Sequence, residues 1–173
     1  SSESVLPVVP EHAGPAAADY GHRTFGISEK RQAGQRGGSR MTDIVKEAEN
    51  VIQKLCTKKI IEKDKVKFVP ELKTNQIRKF LAAVNKLSNK ISIYKAQNPK
   101  KDILPDDICV QIRFLKVKAA YQMGKERTVK EFMNKAGIPA KIDAIGNSIH
   151  AYEEFANYME ALVAYHKYYG GQD

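Results

Sequence analysis

Lys73, Arg78, Lys79, Lys86, Lys90, Lys95, Lys100 and Lys101 fall within the thirty residues from Leu72 to Lys101, a stretch that holds no aspartate or glutamate. Ammonium and guanidinium groups without carboxylate partners associate with phosphate, so the chemistry on offer is the binding of a polyanion. Surface helices ordinarily intersperse Glu among Lys, because an i,i+4 pair adds about 0.2–0.5 kcal/mol and like charges cost about as much. Leaving every cation unpaired gives up local stability. A short lysine run would read as a solvated face, but one this long, free of acid, reads as a phosphate-binding surface.

The remaining chemistry-bearing residues form no catalytic constellation. His150, Glu153 and Glu154 stand at i, i+3 and i+4 and would share a metal only with a third ligand from elsewhere, which the sequence does not supply. His166 shares an apolar helical stripe with Phe155, Met159 and Leu162, the setting of a packed core histidine. Asp106 and Asp107 follow Pro105 and suit the positive end of a helix. Cys56 and Cys109 lie in apolar helical contexts without a C-x-x-C partner and read as small buried hydrophobes. No phosphate loop, nucleophile elbow or H-E-x-x-H motif occurs. The expectation is therefore no enzyme, no metal site and no cofactor.

The elements that must position the cations are helices. From about Asn75 to Gln97, Ile77, Phe80, Val84, Leu87, Ile91 and Tyr94 recur at three- and four-residue steps. Lys79, Lys86 and Lys90 fall on the opposite side with Arg78 at its edge, and Thr74 is the expected N-cap. An earlier helix is predicted over 43–57, with Ile44, Val45, Ala48, Val51, Ile52 and Leu55 on one side. The alternating charged run from Lys58 to Phe68 reads as a mobile loop or extended strap closed by Pro70. The helix opened by Pro105 and ended by Gly124 carries two apolar stripes, Ile108, Ile112, Leu115 and Ala119, and Val110, Phe114, Val117 and Tyr121. A helix apolar on two sides is expected at the centre of a bundle. Thr128 and Glu131 form a capping-box pattern for a short helix stopped at Gly137, Pro139 starts another to Gly146, and Ser148 caps a long one through Tyr169. No strand pattern competes. The fold class expected is all-α, a small bundle of about five to six helices preceded by a low-complexity leader.

Composition shifts at Met41. Residues 1–40 hold three of the seven prolines and six of the eleven glycines, and cannot bury enough apolar area to offset their ordering entropy. They read as a leader, either a disordered extension or an added segment, ahead of one helical-bundle domain over 41–173. Of the chain's net charge of +9, the body carries +8, so the polyanion argument does not depend on the leader. No apolar run approaches the roughly 18 residues of a membrane span, and the protein is placed in the cytoplasm. An alternative reading takes the two short helices over 128–148 as a helix-turn-helix DNA reader, but Glu131 and Asp143 offset Lys130, Lys135 and Lys141 where such an element is most positive. Among the tyrosines, Tyr158, Tyr165 and Tyr169 share a second face of the last helix. That face is expected to be core or, as surplus aromatic surface, a head-to-tail contact between copies.

The run from Tyr158 to Asp173, YMEALVAYHKYYGGQD, resembles the terminal signature of the small subunit of the type III-A CRISPR effector, the Csm complex. Thr74-Asn75-Gln76-Ile77-Arg78 resembles the start of that family's basic helix. Leu115-Lys116-Val117 and Tyr121 through Glu126 resemble its central helix and following turn. The resemblance spans 41–173 and leaves out the leader. It implies a helical-bundle protein without enzymatic activity, present in more than one copy beside the backbone subunits that hold the guide RNA. Its implied partners are guide RNA, target RNA, the backbone and large polymerase-like subunits, and further copies of itself. The implied role is contact with the target RNA backbone along the guide–target duplex in antiviral defence. Arg78 and Lys79 are the first candidates for phosphate contact, with Lys73, Gln76, Lys86, Lys116 and Lys125 behind them. Relatives often carry Arg where this chain has Lys116 and Lys125, and Lys binds phosphate as a point charge rather than a bidentate fork.

Overall fold

The structure is a computed structural model, and it describes residues 41 and 43–173. The leader expected over 1–40 lies outside the described residues. The described part is a helical bundle with one small hairpin. Residues 43–55 form α1, followed by β1 (Cys56–Glu62), β2 (Lys65–Pro70), α2 (Thr74–Gln97), α3 (Asp106–Lys125), α4 (Arg127–Ala136), α5 (Ile138–Ile145) and α6 (Ile149–Tyr168). The core draws on every helix, from Ala48, Val51, Ile52 and Leu55 of α1 to Tyr152, Phe155, Tyr158, Met159 and Leu162 of α6. Fully burying a side chain of this size contributes about 1.5–3 kcal/mol, and that sets the side on which each helix packs.

The run expected as a loop or strap is instead an antiparallel hairpin, pairing Lys59 with Phe68, Ile61 with Val66 and Glu62 with Lys65. Lys63 and Asp64 make the two-residue turn with φ of 49° and 60°, the left-handed geometry whose twist matches that of paired strands. The usual signal for such a turn is Asn-Gly or Asp-Gly, so Lys-Asp concealed it. Ile61, Val66 and Phe68 remain exposed, and only the base of the hairpin, Val69 and Pro70, is buried.

Helix starts also differ in detail. Thr74 is the first residue of α2 rather than its cap, its amide donating to Gln172 O at 2.9 Å, and the end is closed by Gln76 Oε1 accepting from Lys73 N at 2.9 Å. Thr128 lies inside α4, whose cap position is Glu126. Ser148 does cap α6, accepting from Ala151 N at 3.2 Å, and Gly137 ends α4 in the left-handed conformation, φ 65°.

The expectation about the second apolar face of α3 fails. The second stripe of α3 is not at the centre of the bundle. α3 packs against α2, α4 and α5, burying Ile108, Cys109, Ile112, Leu115, Ala119 and Gln122, while Val110, Phe114, Val117 and Tyr121 face outward. The tyrosine face of α6, by contrast, is covered from within. Tyr158 is buried with its hydroxyl donating to Ala136 O at 2.9 Å, Tyr165 packs against the core, and Tyr169 donates to Glu49 at 2.7 Å and accepts from Gln53 at 2.7 Å. α1 meets Tyr169 through Glu49 and Gln53, and Ala136 of α4 and Lys141 of α5 meet Tyr158. Tyr158 is core, and Tyr165 and Tyr169 are half-buried against it. Of the five tyrosines from Tyr152 to Tyr169, only Tyr168 is exposed to solvent.

Candidate nucleic-acid interface

The side of α2 that packs is set by Ile77, Phe80, Val84, Leu87 and Ile91. The 3.6-residue period then fixes what faces out: Asn75, Arg78, Lys79, Ala82, Asn85, Lys86 and Asn89, all exposed and none acidic. Among the described residues, Arg78, Lys79 and Lys86 have no carboxylate within 4.0 Å. The acids that come near α2 are each engaged at its borders. Asp107 lies 3.8 Å from Lys90, Glu153 bonds Lys95 at 2.5 Å, and Glu126 accepts from Gln76 Nε2 at 3.3 Å. An unneutralised strip therefore runs along the middle of the helix.

The predicted residues divide into three groups. Arg78, Lys79 and Lys86 share the outer face, with Lys73 exposed at its start. Gln76 is bonded to neighbours at both ends of its side-chain amide. Its Oε1 accepts from Lys73 N and from Thr128 Oγ1 at 3.1 Å while its Nε2 reaches Glu126, so it pins the start of α2 to the corner between α3 and α4. That corner carries Lys125, exposed and without an acidic partner among the described residues, so Gln76 brings Lys125 to the same end as Lys73 and Lys79. Lys116 points elsewhere, bonding Asp143 of α5 at 2.6 Å. The pair is half exposed and worth at most about 1 kcal/mol, but it lies on the side of α3 turned from α2.

One residue was missed. Lys118 follows Asp107 and precedes Lys125 at helical spacing on the flank of α3 that borders α2, exposed and without an ion-pair partner among the described residues. Its signal lay in the sequence, but the flank of α3 that meets α2 is a tertiary fact.

The arrangement offers charge and hydrogen-bond donors rather than reaction chemistry. Among the described residues no cluster of His, Cys, Asp and Glu could hold a metal. Glu153 is taken by Lys95, leaving His150 an exposed i,i+4 partner of Glu154 at 3.2 Å. His166 is buried, its Nε2 donating to Leu72 O at 2.6 Å. The helix-turn-helix reading loses its reading element. α5 buries Ile138, Ile142 and Ile145, and its one lysine, Lys141, is tied to Glu47 at 3.1 Å and lies 4.3 Å over the Tyr158 ring.

A family model described as Csm2 Type III-A matches residues 39–172. The chain belongs to the Csm2 family. It is 35% identical over 103 residues to the "CRISPR system Cms protein Csm2" of Mycobacterium tuberculosis (strain CDC 1551 / Oshkosh), a match covering 60% of this chain and 79% of that protein. The protein of the same name from Streptococcus thermophilus is 36% identical over 102 residues, 59% of this chain and 76% of the relative. That from Enterococcus italicus is 31% identical over 100 residues, 57% and 68%. Membership makes this Csm2-family chain the small, structural subunit of a type III-A CRISPR effector complex. Among the described residues no helix is long and apolar enough to cross a membrane.

Proposed function

We propose that this subunit is a non-catalytic RNA-binding component that seats target RNA against the guide in antiviral defence, working in the cytoplasm. It touches the sugar–phosphate backbone of the guide–target duplex along the outer face of α2. The observation that carries this reading is the row Arg78, Lys79 and Lys86, exposed on a helix face with no carboxylate among the described residues to neutralise it. Base pairing reads the sequence, and this face reads only charge and shape. Lys73 and Lys125 extend the row at the end fixed by Gln76, and Lys118 joins it from α3. The backbone subunits, the large polymerase-like subunit and further copies of this chain are its protein partners, and cleavage belongs to other subunits.

Photo-crosslinking of target RNA in the assembled complex tests the assignment. Crosslinked peptides from this subunit should fall within 73–90 and around Lys118 to Lys125. Crosslinks confined to α5 and α6 would overturn it. The isolated subunit should cut neither RNA nor DNA with Mg²⁺ or Mn²⁺, and metal-dependent cutting lost in His150→Ala would restore an enzymatic reading.

A further inference from the structure

The two faces of the β1–β2 hairpin are unlike. Val69 and the half-buried Ile60 lie on the face toward the body, where Val69 meets Gly170. The register sets Lys59 across from Phe68 and Ile61 across from Val66, and alternation along each strand puts all four on the other face. There Ile61, Val66 and Phe68 stand 74%, 54% and 58% exposed. Scattered apolar side chains are ordinary on a surface, but three side by side on a two-stranded ribbon, itself marginally stable alone, mark a site that something covers. Around them, residues Cys56 to Pro70 hold five lysines and two acids. Lys67 is paired with Glu62 at 2.6 Å, whereas Lys58, Lys59, Lys63 and Lys65 have no carboxylate within 4.0 Å among the described residues. The base of the hairpin is fixed: Arg127 bonds Glu71 at 2.9 Å and His166 donates to Leu72 O at 2.6 Å. The hairpin therefore rises from the end of α2 where Lys73 and Lys125 lie.

We propose that this face binds unpaired RNA nucleotides, stacking a base on the Phe68 ring and holding its phosphate with Lys59. Directly opposed cross-strand residues carry their Cβ atoms about 4.5–5.5 Å apart, which suits a ring and an ammonium that must meet the base and the phosphate of one nucleotide. Ile61 and Val66 continue the apolar floor toward the turn, where Lys63 and Lys65 meet the next phosphate. Aromatic stacking with cations along the strand is how single strands are held without regard to sequence. Bases inside a duplex are already stacked on both sides, so the ligand is a single-stranded stretch and not the double helix. A protein segment would have to bring apolar side chains and several carboxylates to the same few residues, whereas each nucleotide supplies an apolar face and an anion together. The inference rests on the reading that α2 holds a duplex backbone, and it adds a second kind of contact, to bases, on a strand that runs off the duplex past Lys73.

Fluorescence anisotropy on the full chain compares a blunt RNA duplex, the same duplex with a uridine overhang of about six nucleotides on either end, and that overhang made abasic. The overhang should tighten binding by about five- to hundredfold, and the abasic overhang, which keeps the phosphates, should recover only a small part of the gain. Phe68→Ala should remove the gain while leaving blunt-duplex affinity and the salt slope unchanged, and Phe68→Trp should keep it. Lys59→Gln combined with Lys65→Gln should shallow the slope of log K against log salt for the overhang by about 1.4. These positions are exposed, and thermal melts confirm folding. Iodouracil placed in the overhang should photocrosslink to Phe68. Equal binding of the overhang, abasic and blunt RNAs, or a Phe68→Ala chain that keeps the gain, overturns the proposal. So does a Phe68→Ala chain whose RNA affinities are unchanged but which no longer joins the assembled complex, since the face then covers protein. Blunt-duplex affinity reads the α2 face and the overhang's gain reads the hairpin, so the two readings fail separately.

Discussion

Replacing Arg78, Lys79 and Lys86 together by glutamine should remove three phosphate contacts without touching the fold. All three are exposed and make no ion pair among the described residues, so the change in stability should stay within about 0.5 kcal/mol. Each neutralised phosphate adds about 0.7–0.9 to the slope of log K against log salt. Losing three should therefore shallow the slope by about 2 to 3. Between 50 and 200 mM salt each contact is worth roughly a threefold change in affinity, so the variant should lose about 20- to 40-fold less affinity over that range than the wild type. Fluorescence anisotropy with a short target–guide duplex, read at five or six salt concentrations beside a thermal melt, supplies both numbers. Lys95→Gln is the control, since that lysine is bonded to Glu153 and should leave the slope nearly unchanged. An unaltered slope in the triple variant would refute the site, and a lowered melting point would show that these side chains are structural.

Three further outcomes follow from the packing. Gln76→Ala should cost about 1–3 kcal/mol by stranding Lys73 N and Thr128, and should weaken RNA binding at unchanged salt slope, because Gln76 positions cations rather than touching phosphate. A shallower slope would return it to the contact residues. A methyl added at Gly171 would overlap the His166 imidazole ring, so in Gly171→Ala denaturant melts should show a loss of about 1–3 kcal/mol, and a change under about 0.5 kcal/mol would contradict the packing. Burial, with a smaller effect from Glu47, pushes the Tyr158 phenol far above its ordinary value of about 10. Its contribution is then complete below that pH and is lost as pH rises toward the folded value, since the unfolded chain ionises first. Stability should decline above about pH 10, and Tyr158→Phe should flatten that decline while costing about 1–3 kcal/mol at neutral pH through the stranded Ala136 carbonyl. An identical alkaline slope in both proteins would contradict the assignment.

The helices of this chain and the basic character of the outer face of α2 were legible in the sequence because both are local. A 3.6-residue period puts Ile77, Phe80, Val84, Leu87 and Ile91 on one side of α2, and Arg78, Lys79 and Lys86 must then face out whatever the rest of the molecule does. Gly137 and Ser148 marked helix ends for equally local reasons, a left-handed residue and a side-chain cap. What the sequence left open is which of two apolar stripes finds a partner. α3 and α6 each carry two, and nothing local distinguishes Phe114 and Tyr121 from Tyr158 and Tyr165. The positions of α1 and α5 decide it, covering the second face of α6 and leaving that of α3 bare. Gln76 and Lys116 are the same lesson in polar form. A side chain on a basic surface is free to meet phosphate only if no neighbour has bonded it first, and Thr128, Glu126 and Asp143 approach them only through the tertiary fold.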